Sequence, residues 1–334
     1  MGLRTAFLAA RRWVLLWSFC LIVPTAAQQL GQENRTTSFP QPILKVSAVV
    51  VNLYATIRDK RGRLISSLHQ EDFNLTEDSV PQQICYFSHE ADSPLTLGIM
   101  IDTSPSQGQL LAAEQKQAQA FIARVLRAKD LAFVLRFDVD VELLQDLTSS
   151  QRLLESAIGQ AVTNREGRGL LPESMRPASA DGTHLYDAIY LASNELMKSN
   201  VGRKVLIVLT DGEDRGSKVT PTEALEAAEK ADVIIYSVAI ADDQYYWALG
   251  MTFRGLPVLR RLSQATGGQM VRVNRAGGTA AAFAEIAGEL RAQYFLGYSP
   301  TNKLCDGSFR KIGVAVRKRN YRVRVRRGYF AQSK

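Results

Sequence analysis

LTLGIMIDTSPS, residues 95–106, is the stretch on which the reading of this chain turns. An apolar run ends in Asp102, and two hydroxyls, Ser104 and Ser106, follow at alternate positions. A second apolar run, KVLIVLTDGED (204–214), reaches Asp211, and DGTHLYDA (181–188) between them carries Thr183. Continuous apolar runs bounded by turn residues read as strands buried on both faces. Amphipathic stretches separate them. Residues 109–127 place Ala118, Phe121, Ile122 and Val125 on one helical face, and 184–198 do the same with Leu185, Ile189, Ala192 and Leu196. Further strands are expected at LAFVLRFD (131–138), VIIYSVAI (233–240) and QMVRV (269–273), and further helices at 150–161, 221–230, 257–265 and 280–291. This alternation defines an α/β fold: a doubly wound, mainly parallel sheet with helices on both faces.

Other segments flank that core. Val46 to Ile57 is rich in Val, Tyr and Thr and stops at the turn RDKRGR; Phe73 and Leu75 alternate, and QQICYF resumes a strand. Residues 44–90 therefore form a small β unit, too short for a large core of its own and expected to pack on the α/β domain after it. The chain closes with YFLGYSP, FRKIGVAVR and YRVRVRRGYF. The expected organisation is an export signal at 1–27, a polar linker at 28–43, the small β unit at 44–90, the α/β domain at 93–298 and basic C-terminal strands at 299–334, which are further candidates for the β unit.

Export is expected from the first residues. Arg4, Arg11 and Arg12 precede the apolar stretch Trp13 to Val23, and Pro24 and the small residues Thr25, Ala26 and Ala27 follow, with cleavage after Ala27. The apolar core is short of the roughly 20 residues of a membrane span, although an uncleaved anchor stays open. Arg11-Arg12 leaves the twin-arginine route open beside the general one. The product would be periplasmic or extracellular. Cys20 leaves with the signal, so Cys85 and Cys305 remain as either one disulfide or two buried thiols.

The formal charge is +8, and from Phe309 to Lys334 there are ten Lys and Arg and no acid. Arg322, Arg324 and Arg326 alternate with Val323 and Val325, the pattern of a strand with one wet and one buried face. That makes a solvated sheet edge, with contact to an anionic envelope surface as the alternative; nucleic acid is not expected.

Two carboxylates and three hydroxyls are hard oxygen donors. They suit Mg²⁺, with Mn²⁺ or Ca²⁺ as alternatives, better than metals that prefer Cys or His. In a doubly wound sheet such residues meet beyond the carboxyl ends of the strands, where the winding reverses. Each also has a structural reading: Ser104, Ser106 or Thr183 capping a helix, Asp211-Gly212 starting a turn. No phosphate loop is present, since GQMVRV and RAGGTA lack the Gly-Lys-Ser/Thr ending. Three His supply no evident nucleophile–His–acid set. The excursion DDQYYWALGMTFRG (242–255) is rich in aromatics that would pack on the core or face a partner.

Asp102-Thr-Ser104-Pro-Ser106, Thr183 and Asp211 in TDGED resemble, residue by residue, the metal-ion-dependent adhesion site of the von Willebrand factor type A domain. The resemblance spans roughly 93–295. More narrowly, the layout is similar to exported von Willebrand factor A-related proteins abundant in Acidobacteria, through the export signal, EDFNLTEDSVPQQI and the tail FRKIGVAVRKRNYRVRVRRGYF. Pro105 departs from the motif, where Gly is common. The resemblance implies a Rossmann-like fold and a divalent ion held by Asp102, Ser104, Ser106, Thr183 and Asp211. It also implies an open metal position for a carboxylate of a partner protein, and so a binding module and not an enzyme. The alternatives are a structural A domain of the cell envelope whose metal only stabilises the fold, and a magnesium-dependent hydrolase.

Overall fold

The computed structural model of the chain describes residues 50–89, 93–108, 110–163, 182–240, 254–273, 278–317 and 320–331. The expected export signal and linker, and most of the 164–182 and 242–255 excursions, lie outside them. In chain order the elements are β1 (Val51–Arg58), β2 (Phe73–Glu77), β3 (Val80–Gln82), β4 (Ile84–His89), β5 (Leu95–Asp102), α1 (Leu111–Val125), β6 (Leu131–Phe137), β7 (Val141–Thr148) and α2 (Gln151–Gln160). Next come α3 (Leu185–Leu191), which runs into a π turn at Ala192–Met197, β8 (Arg203–Thr210), α4 (Pro221–Lys230) and β9 (Val233–Ile240). The remainder are α5 (Leu256–Ala265), β10 (Met270–Val273), α6 (Gly278–Ala292), β11 (Tyr294–Tyr298), β12 (Phe309–Val316), β13 (Arg322–Arg324) and β14 (Gly328–Phe330). Among the described residues no helix is long and apolar enough to cross a membrane.

The central sheet has the order β10-β9-β8-β5-β6-β7, parallel throughout except for β7 at one edge. Every residue of β5, β8 and β9 is buried, which is why these strands read as unbroken apolar runs. Leu97, Ile99, Ile101, Val205 and Ile207 face α1, α2 and α6 through Phe121, Ile122, Leu154, Ile158, Phe283 and Ile286. Met100, Leu206, Val208 and Ile235 face α3, α4 and α5 through Leu185, Ile189, Ala224, Leu259 and Leu262. Burying one such side chain contributes about 1.5–3 kcal/mol, so the two layers hold the sheet from both sides. The chain leaves β5 toward β6 and β7, then returns to β8 on the other flank of β5 and winds away to β10. The reversal makes β5 and β8 neighbours, paired from Leu95↔Arg203 to Ile101↔Leu209.

Local signals set several boundaries. Thr220 caps α4 by accepting from Glu223 N (3.2 Å), Glu223 Oε2 accepts in return from Thr220 N (2.7 Å), and Pro221 takes the first helical position. β7 is not among the strands expected from the sequence, where 131–138 leads straight to the helix near 150. The cause is a tight turn in which Asp138 N donates to Asp140 O, and beyond it an irregular register that breaks the alternation a strand would show.

The flanking strands form two antiparallel sheets, β13-β1-β11-β4 and β14-β12-β2-β3. They share a core of Leu53, Ile57, Phe73, Leu75, Tyr294 and Leu296. Segments from the two ends of the described chain interleave: β11 pairs with β1 (Val51↔Tyr298) and β4, and β12 pairs with β2 (Ile312↔Glu77).

Two expectations are corrected here. YRVRVRRGYF is not one strand with a wet arginine face but two short strands, with Arg322 exposed and Arg324 and Arg326 half-buried. Arg324 pairs with Glu289 and Arg326 with Asp232, so the α/β layer draws these side chains inward. Arg310 is likewise buried against Glu77 at 3.3 Å. Cys85 is exposed and Cys305 half-buried, both free thiols, so neither a disulfide nor a pair of buried thiols describes them.

Candidate metal centre

Asp102 ends β5, and Asp211 directly follows β8 on the adjacent strand. Both are buried, at 0% and 1% exposure. Thr210 Oγ1 donates to Asp102 Oδ2 (2.5 Å) and accepts from Gly212 N (2.9 Å), tying the two strand ends together. Ser104 N donates to Asp102 Oδ1 (2.9 Å). Ser106 Oγ donates to Asp211 Oδ2 (2.6 Å) and lies 3.0 Å from Ser104 Oγ. Asp102, Ser104, Ser106 and Asp211 thus form one continuous hydrogen-bonded set at the carboxyl edge of the sheet.

Thr183 reaches the same rim through its backbone. It exchanges two hydrogen bonds with Arg215, each 3.0 Å, in the loop that begins at Asp211. His184 N donates to Asp138 O (2.7 Å), and Thr103 Oγ1 donates to Asp138 Oδ2 (3.0 Å), so the loops at 102–107, 182–184 and 211–217 are fastened to one another. Among the described residues no side-chain hydrogen bond joins Thr183 to the other four. Of the five, Ser106 alone is half-buried and the rest are buried.

The hydroxyls are not engaged as helix caps. Ser104 precedes a 3₁₀ turn at Pro105–Gln107 without a side-chain cap, and the residues at the N-cap positions of α1 and α3 are Leu110 and His184, which make no side-chain cap either. Pro105 opens the 3₁₀ turn, a position where a fixed φ and a missing N–H are tolerated. Asp211 does start a turn, its Oδ1 accepting from Glu213 N (3.0 Å). Gly212 follows with φ +86°, and a Cβ there would lie 2.7 Å from Leu259. That conformation favours glycine and explains Asp-Gly at this strand end.

Burial first, and then the charge of Asp211, push the Asp102 carboxyl up to about 7, against hydrogen bonds from Ser104 and Thr210 that lower it. Glu114 is pushed well above the usual carboxylate range by burial and then by Asp102 and Asp211. Buried like charges favour a proton or a cation between them. The donors are carboxylate and hydroxyl oxygens, which fit a hard divalent ion such as Mg²⁺. Among the described residues no three His, Cys, Asp or Glu are grouped closely enough to hold one ion.

Sequence reasoning misses Thr210 and Glu114. Thr210 sits in the apolar run and its role depends on which strand lies beside it. Glu114 carries a signal: an acid on the apolar helical stripe, between Leu111 and Ala118.

Residues 98–252 match the model of the von Willebrand factor type A domain. The fold is a von Willebrand factor A fold, to which strands from the N- and C-terminal segments add antiparallel sheets. Similar solved structures include BatB from Bacteroides thetaiotaomicron, 18% identical, covering 58% of this chain and 98% of that chain with a TM-score of 0.42. A von Willebrand factor type A protein from Catenulispora acidiphila is 12% identical, covers 84% of this chain and 73% of that chain, and has a TM-score of 0.46. Proximal thread matrix protein 1 of the mussel byssus, in a form with a zinc-occupied MIDAS motif, is 12% identical, covers 60% and 48%, and has a TM-score of 0.45. These likenesses are of fold. No curated protein matches the chain.

Proposed function

We propose that the chain is an exported protein-binding module in which Asp102, Ser104, Ser106, Thr183 and Asp211 hold a divalent ion. Mg²⁺ is favoured, and Mn²⁺ or Ca²⁺ are alternatives with the same preference for oxygen. The observation that carries this reading is the pair of buried acids on adjacent strand ends, linked through Ser104, Ser106 and Thr210, with the Asp102 carboxyl raised first by burial and then by Asp211. Two ionised carboxylates neutralise a divalent ion formally. A carboxylate from a partner protein would approach from the side of Ser106, the member of the set most open to solvent. Export rests on the residues from Arg4 to Ala27 and places the module in the periplasm or outside the cell. Binding without catalysis is part of the proposal, and a phosphatase screen tests it.

The near-complete burial of Asp102, Ser104 and Asp211 favours one second reading, in which the ion only stabilises the fold. Adhesion to an anionic envelope through the C-terminal strands has less to draw on, because Arg310, Arg324 and Arg326 are paired within the fold.

Capture of envelope proteins by the full chain, with Mg²⁺ or with EDTA, separates the readings. The proposal expects a partner carrying an exposed acid to be retained with Mg²⁺ and lost with EDTA or with Asp102→Ala. Equal retention under all three conditions defeats it. A melting temperature raised by Mg²⁺ without any metal-dependent partner supports the stabilising role instead.

A further inference from the structure

Glu114 stands in the first turn of α1, on the helix face that packs against the sheet. It is 1% exposed, yet neither carboxylate oxygen has a hydrogen-bond partner. The charges acting on it are those of Asp102 and Asp211, both of its own sign. A second unmatched acceptor lies one helical stretch earlier. Gln107 is fully buried and donates through Nε2 to Ile240 O at the end of β9 (3.2 Å), leaving Oε1 without a donor. Buried polar atoms almost always find partners, and a buried acid without one is costly. Unmatched buried acceptors in the stretch from the metal loop to α1 therefore call for donors that protein groups do not supply.

We propose that Glu114 is a positioning residue of the metal site, accepting hydrogen bonds from the water shell of the bound divalent ion on its inner side. The proposal rests on the reading of Asp102 and Asp211 as metal-holding. Direct ligation by Glu114 is not favoured, because the three acids are not grouped closely enough to share an ion. Mg²⁺ surrenders its waters reluctantly, and each retained water offers two donors to oxygens that have none. Gln107 Oε1 is suited to the same role. An acid outside the direct shell orients the site and raises its affinity for cations.

The test uses the full chain, titrated with Mn²⁺ and with Mg²⁺ by calorimetry, and melted in EDTA. Glu114→Gln keeps the shape and removes the charge. It should weaken metal binding by about 10- to 100-fold while melting in EDTA at or above the temperature of the unsubstituted chain. Glu114→Asp, which keeps the charge on a shorter arm, should recover part of the affinity. Unchanged affinity in Glu114→Gln overturns the inference. So does a parallel loss of stability in EDTA, which marks a purely structural residue. If Asp102→Ala abolishes uptake while Glu114→Gln leaves it intact, only this inference fails. If the unsubstituted chain takes up no metal, the reading of the whole site fails with it.

Discussion

Acidification should stabilise the metal-free chain through Asp102 and weaken its hold on Mg²⁺. The Asp102 carboxyl is raised to about 7 in the folded chain, first by burial and then by Asp211; in the unfolded chain it returns to about 3.9. Between those values the folded state binds a proton that the unfolded state lacks, so stability falls as pH rises through the window. The slope approaches about 1.4 kcal/mol per pH unit, with a ceiling of about 4 kcal/mol across the window. Magnesium reverses the sign. Loading requires ionised carboxylates, so stabilisation by Mg²⁺ should grow as pH rises toward 7 and level off above it. Glu229, raised to about 7 chiefly by burial, contributes a slope of the same direction to the metal-free chain. The informative quantity is therefore the difference between the unsubstituted chain and Asp102→Asn, measured by urea unfolding across the window in EDTA and in Mg²⁺. Identical slopes for the two chains in EDTA, or a magnesium effect independent of pH, would refute the electrostatic account of the site.

Two further perturbations test the supports of the site and of the flanking sheets. Gly212→Ala forces a side chain into φ +86° and against Leu259. It should cost about 1–3 kcal/mol by urea unfolding and reduce metal uptake. Arg310→Met strands Glu77 in the flanking core beside Tyr298 and Tyr329, whose hydroxyls contact it at 2.6 and 2.9 Å. The loss should be about 3–5 kcal/mol, and adding Glu77→Gln should recover much of it if an uncompensated charge is the cause.

Much of the α/β layer is legible because its signals are local. The helix Pro221–Lys230 follows from a threonine, a proline and a glutamate within four positions, and the buried strands from apolar runs that no turn residue interrupts. β7 is illegible because an edge strand has one partner and a half-wet surface, so its Val, Leu and Glu residues obey no clean period. The arginine tail misleads for a related reason. Alternation with valine describes a strand in isolation, whereas Glu289 and Asp232, far away in sequence, decide which arginines stay in water.

The candidate site divides along the same line. Strand-end acids, alternate hydroxyls and the glycine that bends the chain after Asp211 are properties of short segments, visible without knowledge of any neighbour. That Asp102 and Asp211 share one edge depends on β8 returning to the flank of β5. That return also brings Thr210 within reach of Asp102 and sets Glu114 within the field of both acids. Backbone periodicity is written residue by residue, but Coulomb forces and hydrogen bonds act across space, so the chemistry of the crevice exists only once distant segments have been folded together.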